Sequence, residues 1–342
     1  MNRIGNILNK TASTANIDAA VDEALRHRSK KNALTRSASI FLLHRAENVE
    51  EIRNALLTGN IGDITYNTFY KCENGKVRKI DWNPSFRDNV MQHALFRTVG
   101  KKIIEKFIPD TFSGIEGRGP SYGLNRLRKH IRAFNGKPLY ILKFDIRHYY
   151  PSIDLELLKK TLRTVIKDSG ILKVFDAIID SHPNGLPIGN YISQLLANLY
   201  LNEFDHWVQR ELKITILRYC DDVVLLGSSS KELCDALKKV RCFLRTLKLT
   251  VKNDIQIFPI ERGGIDFMGF IVTRDGVKLR KRIERSLRRS IKKFNKTPIE
   301  KYYRSIASYY GWTTSLTRGG LLWKRIAKKP LSDYLAEARK VS

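Results

Sequence analysis

Residues 214–227 read ITILRYCDDVVLLG, and this stretch organises the rest of the chain. Two β-prone apolar runs, Ile214–Tyr219 and Val223–Leu226, flank a polar step in which Cys220 leads into the adjacent acids Asp221 and Asp222. The pattern predicts a short hairpin holding two carboxylates at its tip. Side-by-side negative charges among aliphatic strands repel, and one is pushed towards its neutral form unless a cation compensates them. A divalent metal is one remedy; a solvated turn, in which Asp is common, is the bland alternative.

With 342 residues, 42% hydrophobic and 10% aromatic, the chain is long and apolar enough for a folded unit with real cores. Its charge is more telling: 62 Lys and Arg against 34 Asp and Glu leave +28. Such an excess attracts polyanions and binds phosphate backbones in a salt-dependent way, so nucleic acid is the expected partner. An anionic membrane surface is a weaker alternative, because no lipidation signal or Trp-rich amphipathic anchor is present. No apolar run reaches the ~18 residues of a spanning helix, and the N-terminus lacks a signal-like core, so a cytoplasmic protein is expected. Cys72, Cys220, Cys234 and Cys242 form no CxxC pair, which argues against structural zinc and for reduced thiols.

Residues 1–40 read as a peripheral, loosely ordered extension with one helix around Ile17–Arg26. A helix is predicted over Ile40–Leu57, ending near Gly59, then a hairpin over Ile64–Arg78 turning at Glu73-Asn74-Gly75. Its basic residues, with Arg87 beyond, line an anion site or a solvated edge. Asn89–Phe107 reads as a helix, and Ser113–Gly123 (SGIEGRGPSYG) as a loop whose glycines open backbone N–H groups to phosphate beside Arg118. The loop lacks P-loop spacing.

Tyr140–Phe144 reads as a buried strand with Asp145 at its end, followed by Tyr150 before Pro151. Asp145 is a ligand candidate or a cap. Helices are predicted at Leu155–Val165, Leu172–Ile179, Asn190 to about Leu212, and Lys231–Thr246. Gly189 would let a base or sugar lie against bare backbone, while Ser193 and Gln194 are helix-start residues or substrate contacts. Leu249–Phe258 reads as a strand and Gly263–Ile271 as a tight hairpin. Residues 278–293 carry nine Lys or Arg, including Arg280, Arg285, Arg288, Arg289 and Lys292, opposed only by Glu284. With Leu279, Ile283, Leu287 and Ile291 as an apolar stripe, that helix suits a duplex backbone. Helices at Tyr302–Trp312 and Leu321–Ala327 complete the chain.

Asp145 with Asp221 and Asp222 supplies three acids on two strand ends, the requirement of two-metal phosphoryl transfer with ions ~3.5–4 Å apart. Magnesium suits such hard oxygen ligands.

The order of these motifs resembles that of reverse transcriptases. FDIRHYYPSID (144–154), GLPIGNYISQLLANLYLNEFD (185–205), RYCDDVVLL (218–226) and DFMGF (266–270) are similar to their motifs A, B, C and E. Upstream, KVRKID (76–81), FRDNVMQHAL (86–95) and FIPDTFSGIEGRG (107–119) are similar to finger motifs of the bacterial branch. Within motif B, Ile188-Gly189 and Ser193-Gln194 replace the usual QG and SP, a pattern that looks like the diversity-generating retroelement enzymes. The alternatives are another bacterial reverse transcriptase, group II intron-like or abortive-infection type, and a catalytically silent RNA-binding scaffold.

The resemblance implies a right-hand α+β polymerase with an antiparallel palm sheet and a helical thumb. Its parts would be an extension (1–57), fingers (58–140), palm (141–154), a fingers insertion (155–182), palm (183–275) and thumb (276–342). It implies Mg²⁺, two ions, with Mn²⁺ an alternative, held by Asp145, Asp221 and Asp222, which are also the catalytic residues. Tyr150 would be the steric gate against a ribose 2′-hydroxyl, with Ile188 and Gly189 bordering the nascent pair. Arg78, Arg87 and Arg118 would contact triphosphate or template. Ser193, Gln194 and the basic helix would contact nucleic acid. The implied partners are a template-repeat RNA, primer and cDNA, dNTPs, and a small basic accessory variability protein. The implied product is cDNA with errors opposite adenine. Two departures stand out: Ile115 replaces an Arg of the family's loop, leaving Arg118 at a Lys position, and Ile255 replaces the motif D Lys, leaving Lys252 nearest.

Overall fold

The structure, a computed structural model, describes residues 3–29, 34–73, 76–316 and 319–341. Strands β1 (Asn67–Glu73) and β2 (Lys76–Trp82) form an antiparallel two-stranded ribbon. Asn74 and Gly75 of its expected turn lie outside the described residues. Strands β3 (Thr111–Phe112), β4 (Tyr140–Asp145), β5 (Thr215–Tyr219), β6 (Asp222–Gly227) and β7 (Gln256–Pro259) make a five-stranded sheet in the order β3-β5-β6-β4-β7. Strands β8 (Ile265–Phe267), β9 (Phe270–Val272) and β10 (Val277–Leu279) form a third, antiparallel sheet.

The expected hairpin is β5–β6, turned by Cys220 and Asp221. Ile216, Leu217 and Val223 to Leu226 are buried, as continuous apolar runs in central strands should be. The five-stranded sheet is mixed rather than purely antiparallel, because the two-residue edge strand β3 runs parallel to β5. A parallel pair needs a long crossover, and residues 113–214 provide one.

The chain divides into two compact units. The first comprises residues 1–115, 144–223 and 236–255. Its N-terminal part is not peripheral: Ile4, Ile7, Ile17, Ala20, Val21 and Ala24 are buried, and Asp168 accepts the backbone N–H groups of Ile7 and Leu8 at 2.8 and 3.1 Å. The helix Thr14–Ser29 buries small and branched residues, whose sparse spacing in a polar segment hides the apolar face. The helix expected at Ile40–Leu57 is two helices, Arg36–Leu43 and Arg45–Thr58, broken at His44 and stopped by Gly59 in the left-handed region. Phe86–Leu95 begins earlier than expected because the Ser85 side chain caps the Asp88 N–H, and it continues through a π turn at Phe96–Gly100. The long helix expected from Asn190 is likewise segmented into Ser193–Tyr200, Asn202–Trp207 and a π turn at Val208–Leu212. The strand expected at Leu249–Phe258 shrinks to β7, interrupted where the Ile255 N–H bonds the Asn253 carbonyl.

The second unit comprises residues 116–143, 224–235 and 256–342. The Gly-rich loop ends sooner than expected, in a helix Pro120–Ala133 with Pro at its start, a position where the missing N–H costs nothing. β8 and β9 turn through Met268 and Gly269, both at positive φ, as a tight two-residue hairpin requires. The basic helix runs Lys281–Lys296 and buries Leu287, Ile291 and Phe294 beside Trp323 and Tyr334. Leu279 belongs instead to β10, so the apolar stripe starts one turn later than its periodicity indicates. A last helix, Leu331–Val341, was not expected from the pattern.

Candidate active site

Asp145 closes β4 and Asp221 lies in the β5–β6 turn. The backbone joins them directly: the Ile146 N–H donates to the Asp221 carbonyl at 3.1 Å, and the Lys252 N–H to the Asp145 carbonyl at 2.9 Å. The Lys252 ammonium then lies 2.9 Å from Asp145 Oδ2 and 4.0 Å from Asp221 Oδ2. With the Asp145 and Asp221 side chains 41% and 39% exposed, the pair is open to solvent and to an incoming ligand. Burial holds the Asp221 carboxyl above the usual range, the Asp145 charge adds to this, and Lys252 and Arg78 oppose it. An internal ammonium thus stands where two carboxylates ask for a cation.

Asp222 is half-buried at the first residue of β6. Among the described residues no three His, Cys, Asp or Glu side chains are grouped so as to hold a metal by themselves. Asp145 and Asp221 are hard oxygen donors around a position already held by the Lys252 ammonium, a setting that suits a divalent ion.

Tyr150 sits in the short helix Tyr149–Ser152 with its hydroxyl 3.6 Å from the Cys220 sulfur. Burial raises the Tyr150 phenol above its ordinary value, and burial with the neighbouring Asp221 pushes the Cys220 thiol up to about 11. Both groups are therefore neutral at physiological pH. Cys220 has a φ of 58°, uncommon for a residue with a side chain and a conformation that persists where surroundings enforce it.

The enforcing group is one that sequence reasoning missed. Arg218, fully buried in β5, donates from Nη1 to the Cys220 carbonyl at 3.1 Å. Its guanidinium also pairs with buried Asp205 at 2.6 to 3.0 Å and with the Asn198 side chain at 3.1 Å. Asp205 in turn accepts the Thr111 hydroxyl at 2.8 Å, and Asn198 donates to the Ser113 carbonyl at 2.9 Å. The signal available in the sequence was a charge inside an otherwise apolar strand.

Other expected site residues divide. Arg78 is exposed on β2 and acts electrostatically on Asp221. Ile188 is 43% exposed. At Gly189 a Cβ would lie 2.6 Å from the Asp81 carbonyl and the Trp82 Cα, so its bare backbone packs against β2. Arg87 is committed to the fold, donating to Glu51, Asp88 and the Ile61 carbonyl at 2.6, 3.1 and 3.0 Å. Ser193 is buried, whereas Gln194 is exposed and donates to the Ser113 hydroxyl at 3.3 Å. In the second unit, Arg118 precedes the helix Pro120–Ala133, and Arg280 is held by Asp266 through two nitrogens at 2.8 and 2.6 Å. Arg288 pairs with Glu284 at 2.8 Å, while Arg285, Arg289 and Lys292 are exposed along the outer face of their helix.

Residues 78–272 match the sequence profile described as reverse transcriptase (RNA-dependent DNA polymerase). The chain is 23% identical over 275 residues to Protein YkfC of Escherichia coli strain K12, covering 67% of this chain and 72% of that protein. Apo telomerase from Candida tropicalis is similar in structure, with a TM-score of 0.51 and 12% identity over 82% of this chain and 62% of that one. A Candida albicans telomerase in complex with a fragment of telomeric RNA gives 0.48 and 12% over 83% and 61%. The chain thus spans about three-fifths of these telomerase chains, and the likeness to the Candida tropicalis chain shows a right-hand polymerase fold. Among the described residues no helix is long and apolar enough to cross a membrane.

Proposed function

The chain belongs to the reverse transcriptase family, whose profile covers residues 78–272, and from that premise we propose that it is an RNA-directed DNA polymerase of a cytoplasmic diversity-generating retroelement. The observation that carries the polymerase reading is the opposed Asp145–Asp221 pair on two strand ends with Lys252 between them. Asp145 and Asp221, with Asp222, would hold Mg²⁺ or Mn²⁺, which when bound lowers the pKa of a primer 3′-hydroxyl and neutralises developing phosphate charge. Lys252, displaced from between the carboxylates, is a donor placed to protonate a leaving pyrophosphate. Arg78 offers charge to a triphosphate, and in the second unit the exposed cations of Lys281–Lys296 suit the backbone of a template–primer duplex. In this reading residues 58–140 and 155–182 are fingers, 141–154 and 183–275 palm, and 276–342 thumb.

Tyr150, whose half-buried ring is braced by Cys220, is the gate against a ribose 2′-hydroxyl. Tyr150→Ala is expected to raise the use of ribonucleotides relative to deoxynucleotides by about tenfold or more, since steric exclusion is the discrimination removed. Primer extension with each nucleotide class measures it, and an unchanged ratio removes the gate assignment.

The retroelement reading rests on Ile188 and the Ser193-Gln194 pair. An apolar side chain where relatives place an amide leaves less polar readout of the nascent pair, and selectivity falls accordingly. The cDNA is then made on a template-repeat RNA with a small basic accessory protein as partner. Sequencing that cDNA is expected to find errors concentrated opposite template adenines, reduced several-fold by Ile188→Gln. Errors spread evenly over the four template bases would remove the retroelement assignment and leave the polymerase standing.

A further inference from the structure

Ile188 lies in a stretch, residues 181–192, with no strand or helix of its own. What holds it is a set of contacts centred on Asp81 of β2. The Asp81 carbonyl accepts the Gly189 N–H at 3.0 Å, and its carboxylate faces His182 Nε2 at 3.3 Å. The other ring nitrogen of His182 faces the Gly185 carbonyl, also at 3.3 Å. Lys79, 3.2 Å from Asp81, and the Thr68 hydroxyl complete the surroundings of the carboxylate.

The other anchors lead to the same loop. Tyr66 meets the His182 ring edge to face at 5.2 Å, and its hydroxyl bonds Ser181 at 2.8 Å and the Asn190 amide at 2.9 Å. The Leu186 N–H donates to the Tyr150 carbonyl at 3.0 Å, so the backbone of the gate residue is the far anchor. Side chains at His182 and Asp81 are only 10% and 13% exposed, which sets this pair apart from a screened surface contact. Between the two anchors, Gly189 has no room for a Cβ and Ile188 is turned outward.

We propose that Asp81 and His182 form a clasp that positions the Ile188–Gly189 turn, and that through it they set how strictly the enzyme chooses its nucleotide. They are positioning residues: they act by fixing Ile188 relative to β2, which also carries Arg78. The proposal rests on the polymerase reading above.

The test uses the full chain with His182→Ala, Asp81→Asn and the partly conservative His182→Gln. Hydrogen exchange of peptides covering 183–191 is expected to speed up about tenfold in the first two, a larger change than in any peptide elsewhere in the chain. On an RNA template, the ratio of kcat/KM for mismatched to matched dNTP is expected to shift at least about threefold while kcat for the matched pair stays within about twofold. His182→Gln, which keeps a donor towards Asp81, should fall between, and Ile188→Ala combined with His182→Ala should add nothing further to the ratio. Unchanged exchange overturns the clasp. Faster exchange with an unchanged ratio shows an anchor without influence on selectivity and overturns the proposal too. Failure of the wild-type chain to extend any primer overturns the polymerase reading and the selectivity claim, while the exchange data still decide whether the clasp holds the loop.

Discussion

Asp145→Asn and Asp221→Asn are each expected to lower primer extension on RNA by on the order of a thousandfold or more, because several kcal/mol of charge stabilisation at the transferring phosphate leave with the carboxylate. Neither is expected to unfold the protein. The Asp221 carboxyl is held above its ordinary range, first by burial and then by Asp145. A carboxyl raised in this way favours the protonated folded state, so its stabilising contribution is present at low pH and lost as pH rises through the raised value. At neutral pH the charged group is a cost that Asn does not carry. The thermal midpoint of Asp221→Asn should therefore match or exceed that of the wild type. A midpoint that collapses with activity would assign Asp221 to the fold rather than to the chemistry.

Removing Arg218 is the second large effect. Arg218→Leu leaves Asp205 charged and fully buried, with the Cys220 carbonyl deprived of its donor. Breaking one side of such a pair costs about 3–5 kcal/mol, which chemical denaturation will read directly. Replacing both partners, Arg218→Met with Asp205→Leu, should recover most of that loss, because an apolar pair of similar volume avoids the desolvation penalty. Activity should not recover with it. The β5–β6 turn places Asp221 through a left-handed Cys220, and the double variant has lost the Arg218 donor to that carbonyl. A double variant that regains both stability and rate would show that Arg218 serves packing alone.

These two cases mark how far the sequence could be read. Asp145 and Asp221 were legible because each interrupts a long apolar run, and an acid at the end of a buried strand has few reasons to be there. Lys252 was named as the nearest available donor, and it lies against both acids. Arg218 also interrupts an apolar run, but its role depends on a partner 13 residues away on another element, which the strand pattern does not disclose. At Gly189 the sequence shows that a Cβ is missing but not what takes its place, which is the backbone of β2. Arg87 carried the right charge for an anion site, yet its hydrogen bonds go to Glu51, Asp88 and a carbonyl, a commitment that only tertiary structure discloses. The N-terminal helix was missed as core because its apolar face is built from Ile17, Ala20, Val21 and Ala24, too small and sparse to stand out in a charged segment. Helix ends were similarly obscured where π turns at Phe96–Gly100 and Val208–Leu212 shift the periodicity.

In the proposed reading the Asp145–Asp221 pair makes this chain copy RNA into DNA. The most direct measurement is extension of a labelled primer annealed to an RNA template by the purified full chain, with dNTPs and Mg²⁺ or Mn²⁺. The expected result is template-directed DNA synthesis that requires the divalent ion and disappears with Asp145→Asn. A folded chain that binds the template–primer but adds no nucleotide with either ion would contradict it, as would extension that survives Asp145→Asn.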